Sequence, residues 1–82
     1  MRKKPYPYND DIAEAIKEAI SKDPLMHPDE LPDKVKEVLE EKGFYTGLVS
    51  AKRVWRIYES MVRRGEIFDV FMVVRDRGDL QV

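Results

Sequence analysis

Lys52, Arg53, Arg56, Arg63 and Arg64 lie close together in one stretch of the chain, with Ser50 ahead of them, Trp55 among them and Glu59 as the one acid in their midst. Guanidinium and ammonium groups on one helix face neutralise phosphates and release counterions, and side chains this long reach base edges in a major groove. Two smaller groups carry the same chemistry: Arg2, Lys3 and Lys4 at the start, with Tyr6 and Tyr8, and Arg75 and Arg77 beside Gly78 near the end. Competing chemistries have little to work with. The chain has no Cys and one His, His27, which excludes a disulfide framework, a thiol nucleophile and a Cys/His zinc site. There is no Gly-rich phosphate loop, no Ser/His/Asp set and no paired-acid pocket, so neither an enzyme nor a cofactor or metal is expected.

The 82 residues carry fifteen Lys plus Arg against sixteen Asp plus Glu, a net charge of -1 that by itself argues for no charged partner. Resolved along the chain, the figure changes meaning. Residues 1–9 carry +3; residues 10–41 hold eleven acids and four bases, or -7; residues 42–66 hold six bases and two acids, or +4; residues 67–82 carry -1. The molecule is therefore expected to be a dipole, acidic over its first half and basic over one later element and the N-terminal arm. A chain of this length is one domain with a small core. No apolar run approaches the 18 or so residues of a membrane span, and the expected location is cytoplasmic. The high charge content, with one Asn, one Gln and one Thr, leans toward a thermophile.

Prolines and glycines punctuate three helical blocks that position these cations. Asn9 is a candidate N-cap for a helix over 10–22, with Asp10 and Asp11 in its first turn and Ile12, Ile16, Ala19 and Ile20 on its apolar stripe. Pro24 ends it. Pro32 fits the first position of a second helix with Val35, Val38 and Leu39 inward, closed by Lys42 and Gly43. Ser50 caps a third helix running to about Arg64, in which Val54, Ile57, Tyr58 and Met61 share one face and Lys52, Arg56, Glu59 and Arg63 the opposite one. His27 reads as a turn residue. The acids Asp29, Glu30 and Asp33 read as charges at a helix start, and Glu37, Glu40 and Glu41 as its solvated surface. The run Ile67, Phe68, Val70, Phe71, Met72, Val73 and Val74 is rich in β-formers and predicts a strand, a turn over 76–79, and a short return strand over 80–82.

The stretch from Ser50 through Ala51, Lys52, Arg53, Val54, Trp55 and Arg56 to Arg64, Gly65, Glu66 and Ile67 resembles the recognition helix and exit of winged helix-turn-helix proteins. The resemblance covers 9–82 and implies an α+β fold, three helices followed by a C-terminal β-hairpin wing, with residues 1–8 as a flexible basic arm. The small size and charge-rich composition are similar to minimal transcription regulators of archaea and their viruses. The implied function is sequence-specific binding of double-stranded DNA in transcription regulation.

In that arrangement the third helix enters the major groove and the acidic first two helices face away. Ser50, Lys52, Arg53 and Arg56 contact bases and phosphates, and Arg63, Arg75 and Arg77 grip the backbone. Arg2, Lys3 and Lys4 track a groove or form a plain tail. Trp55, on the helix flank, either braces the helix or meets a thymine methyl or sugar, and Glu59 either pairs with Arg56 or Arg63 or accepts from a cytosine amino group. The apolar strand over 67–74 offers a homodimer interface. It also motivates an alternative class, a winged helix used as a protein-interaction module of a polymerase, replication or other nucleic-acid assembly.

Overall fold

The structure, a computed structural model, describes residues 5–72 and contains three α-helices: α1 (Asn9–Lys22), α2 (Leu31–Glu41) and α3 (Ala51–Arg63). A short 3-10 turn over Pro28–Glu30 leads into α2. Each helix touches the other two, with α1 packed most extensively on α2. Ile12, Ala15, Ile16 and Ala19 of α1, Leu31, Val35, Val38 and Leu39 of α2, and Val54, Ile57, Tyr58 and Met61 of α3 close one core, joined by Met26 and Val49 from the connections.

Local chemistry sets the helix limits. α1 is capped one residue earlier than the sequence predicts: Tyr8 is the N-cap, its backbone N–H donating to Asp11 Oδ2 at 2.8 Å. Asn9 is thereby released from capping. At the entry to α2, His27 acts as the turn residue expected, its Nδ1 accepting from the Asp29 N–H at 3.1 Å while its own N–H donates to Glu30 Oε2 at 3.3 Å. Ser50 caps α3 as predicted, Oγ accepting from the Arg53 N–H at 3.1 Å.

The ends of α2 and α3 use one device twice. Gly43 (φ 92°) and Gly65 (φ 77°) take the left-handed conformation just past the last turn. The following N–H then reaches back, Phe44 N to Leu39 O and Glu66 N to Met61 O, both at 2.9 Å. This paired closure satisfies carbonyls the helix leaves open, and it requires a residue without the Cβ penalty at positive φ.

Beyond α3 the chain departs from the expected α+β fold with its β-hairpin wing. Among the described residues there is no strand, and the segment 64–72 runs over α3 in turns and bends. Val70 N donates to Phe68 O at 2.9 Å and Met72 N to Asp69 O at 3.1 Å, and Met72 has φ 56°. Amides that a ladder would commit to a neighbouring strand close local turns instead. The strand expectation rests on β-propensity, which measures fit to a pleated, half-buried surface and yields to other packing. Here Ile67 and Phe71 turn in against the core while Phe68, Val70 and Met72 remain exposed. The strand interface expected for a homodimer therefore loses residues 67–72. Arg75, Arg77, Val73, Val74 and the return strand over 80–82 lie outside the described residues.

Candidate nucleic-acid interface

At 100° per residue, α3 divides into four sides. Val54, Ile57, Tyr58 and Met61 face the core and are at most 8% exposed. Lys52, Arg56, Glu59 and Arg63 lie opposite. Arg53, Ser60 and Arg64 fall on one flank between these, Trp55 and Val62 on the other. Each flank meets a different part of the chain, and the two contacts frame the outward side.

On the Arg53 flank the chain's N-terminal segment is tied down. Arg53 donates from one guanidinium nitrogen to Pro7 O at 3.1 Å and to Asn9 Oδ1 at 3.3 Å. Nearby, Tyr45 N donates to Pro5 O at 2.9 Å, and the Tyr6 and Tyr45 rings sit 5.3 Å apart. Residues 5–8, expected from sequence to belong to a flexible arm, thus hold fixed contacts to the connection between α2 and α3. Gly47 makes room for this, since a Cβ there would run into the Tyr45 ring. Arg2, Lys3 and Lys4 precede this anchored segment and lie outside the described residues.

On the opposite flank, Trp55 is half-buried and packs edge-on against Tyr58 (5.2 Å) and Phe71 (5.7 Å). Tyr58 Oη donates to Asp69 Oδ1 at 2.7 Å and accepts from the Phe71 N–H at 3.4 Å. Burial, reinforced by the Asp69 carboxylate, pushes the Tyr58 hydroxyl up to about 12. Of the two readings of Trp55, its geometry here is that of a brace between α3 and segment 64–72.

The outward side holds the expected cations in unequal states. Arg63 pairs with Glu59 at 2.8 Å, one helical turn apart, which engages the only acid on that side. Lys52 and Arg56 are exposed and, among the described residues, make no ion pair or hydrogen bond. Arg53 is half-buried and committed to Pro7 and Asn9, so its guanidinium is less available to a ligand than the sequence implies. Ser50 uses its hydroxyl as a helix cap.

Between α1 and the Arg53 flank lies an open groove of about 540 Å³ lined by Asn9, Asp10, Ala13, Arg53, Arg56, Ile57, Ser60 and Arg64. Sequence reasoning missed it. Arg53, Arg56 and Arg64 repeat at helical spacing along one flank, and that signal was legible. The element facing them was not. Asp10, at the start of α1, stands on the groove wall with these arginines.

Elsewhere the acids engage one another's cations. Lys22 pairs with Glu18 at 3.4 Å and Glu41 at 3.3 Å, and Lys42 with Glu18 at 3.4 Å, clasping α1 to α2. Partial burial works against the Glu18 carboxylate, yet the hydrogen bonds and charges of Lys22 and Lys42 hold it below the ordinary range. Thr46 Oγ1 donates to Glu40 Oε2 at 2.7 Å. Among the described residues no group of three His, Asp or Glu side chains is placed to hold a metal ion, and no helix is long and apolar enough to cross a membrane. No family model, curated protein or solved structure matches this chain.

Proposed function

We propose that the protein binds double-stranded DNA through the outward side of α3, as a regulator of transcription. The observation that carries this reading is the state of Lys52 and Arg56: both are exposed and, among the described residues, unpaired, on a helix whose opposite face is packed into the core. Cations that no described residue pairs are ready to replace counterions on phosphate, and a helix anchored by its core face presents them in fixed register. Arg56 and Lys52 read bases or grip phosphate, Arg63 contributes backbone contact by exchanging Glu59 for phosphate, and Arg2, Lys3 and Lys4 add charge from the N-terminal side.

Selection from random duplexes, followed by a salt titration on the preferred sequence, tests this. Neutralising four or five phosphates gives a slope of log affinity against log salt of about -4, doubled for a dimer. An enriched sequence with that slope supports the proposal; no duplex affinity at low salt ends it.

A second reading rests on a different observation. Phe68 and Met72 are 88% exposed and Val70 48%, three large apolar groups on one short segment. Exposed apolar clusters of this kind favour contact with another protein, the protein-interaction alternative. A chain that binds no duplex and whose Phe68→Ser variant loses affinity for a partner protein fits this second reading.

A further inference from the structure

Arg53, Arg56 and Arg64 are separated by three and eight residues, so their side chains emerge along one line of α3, and with Ser60 between them they form one wall of the groove that α1 closes on the other side. Such a line does not arise from packing need: the core face of α3 is complete without it. The three guanidiniums are in graded states. Arg53 is held by Pro7 O and Asn9 Oδ1, which fixes its plane and leaves further N–H donors; among the described residues Arg64 is paired only with the exposed Glu66 at 3.1 Å and Arg56 has no partner. Within a concavity with protein on two sides, like charges reinforce one another's field, and a group that accepts several hydrogen bonds while carrying negative charge relieves their repulsion.

We propose that this groove is a phosphate seat that holds one backbone phosphodiester of the bound duplex, at the edge of the α3 interface. Arg56 bridges the two regions: it stands at the border of the outward side and the groove, so a strand entering from the outward side delivers a phosphate to Arg56 and Arg64, with the Ser60 hydroxyl as a further donor. Asp10 sits on the facing wall and opposes an anion there. This opposition makes the proposal testable by a change of opposite sign.

The inference rests on the DNA-binding reading, and the experiment separates the two. Duplex affinity is measured by anisotropy across a salt series for the full chain and for Arg64→Gln, Asp10→Asn and Lys52→Ala, with folding checked by circular dichroism; in parallel, inorganic pyrophosphate is titrated into nitrogen-15-labelled protein. Arg64→Gln is expected to weaken binding about 5-fold to 10-fold and to reduce the salt slope by about 1, uniformly across sequences. Asp10→Asn is expected to tighten it about 2-fold to 5-fold. Pyrophosphate is expected to shift the Ser60 amide and the Arg56 and Arg64 side-chain signals.

If Lys52→Ala weakens duplex binding while Arg64→Gln and Asp10→Asn leave it unchanged, the seat is overturned and the α3 reading stands. If no duplex binds but pyrophosphate shifts those signals, the seat takes a small phosphate-bearing ligand, and its assignment to a DNA backbone is overturned. If neither binds, both proposals are overturned.

Discussion

The clasp between α1 and α2 and the outward side of α3 are built from the same side chains and use them in opposite ways. On the first, Lys22 meets Glu18 within α1 and Glu41 across the helix boundary, and Lys42 meets Glu18 across it, so charge is cancelled inside the molecule. On the second, one acid is present and is held by Arg63, while Lys52 and Arg56 keep their charge for solvent or a ligand. Two surfaces of similar residue content thus differ in whether the fold supplies the counter-charge. A bulk net charge of -1 averages over that difference and carries almost no information about partners.

The contrast is broken most severely by removing the uncompensated cations. Lys52→Ala combined with Arg56→Ala is expected to cost about 2 to 6 kcal/mol of duplex affinity if both side chains contact DNA, with the salt slope falling by about 2, as read by anisotropy. The same double change leaves stability to denaturant nearly unaltered, because neither residue packs. Unchanged affinity in that variant would falsify the assignment of α3.

Next in size is the brace that holds segment 64–72 on α3. Tyr58→Phe keeps the ring and deletes the bond to Asp69, for an expected loss of about 1 to 2 kcal/mol in urea unfolding. The wild-type hydroxyl adds a pH signature. Its folded value of about 12 lies above the ordinary tyrosine value near 10, so the folded state holds the proton more tightly. That contribution is fully present below about pH 10 and fades as pH rises toward 12, by about 2 kcal/mol at most. Unfolding midpoints at pH 9 and pH 11.5 should converge between wild type and Tyr58→Phe. A gap that persists at high pH would contradict the buried hydroxyl.

The tie at the other flank is weaker. Gly47→Ala places a methyl where the Tyr45 ring lies, and the half-exposed ring is expected to swing away from Tyr6 at a cost of about 0.5 to 1 kcal/mol. Loss of nuclear Overhauser contacts between the two rings, with the helices intact, is the direct measurement. The smallest effect belongs to the clasp. Lys22→Ala removes exposed pairs that salt screens, and the denaturation midpoint should hardly move. Because Glu18 is held below the ordinary carboxylate range, what the clasp contributes is present at neutral pH and lost as pH falls through that range. A Lys22→Ala midpoint shift as large as that of Tyr58→Phe would erase the distinction between the two surfaces.

The helical half of the molecule was legible because its signals are local. Periodicity places Val54, Ile57, Tyr58 and Met61 inward on α3 and Val35, Val38 and Leu39 inward on α2, and Ser50, Gly43 and Gly65 mark ends through capping chemistry that depends on neighbouring residues alone. Met26, Leu31 and Val49 escape such reasoning, since residues in or beside connections join a core only once the helices fix where the connection runs. Residues 67–72 mislead for a related reason. Their β-formers state a preference for a pleated surface, but the partner that decides between strand and turn is non-local, and Tyr58 and Trp55 supply a competing surface.

The site divides along the same line. Residue order alone determined that α3 has one apolar and one cationic side, because helical geometry converts spacing into direction without reference to the rest of the chain. The tertiary structure decided which cations are free. Arg53 and Arg56 are the same residue type three positions apart, yet one is bound to Pro7 and Asn9 and the other is unpaired among the described residues. What separates them is where the chain enters α1: the Pro7 carbonyl and the Asn9 side chain reach Arg53, while Arg56, one turn further along α3, stands at the outward border of the groove. Charge is a property of the side chain, whereas its availability depends on which partners the fold brings within about 3 Å of it.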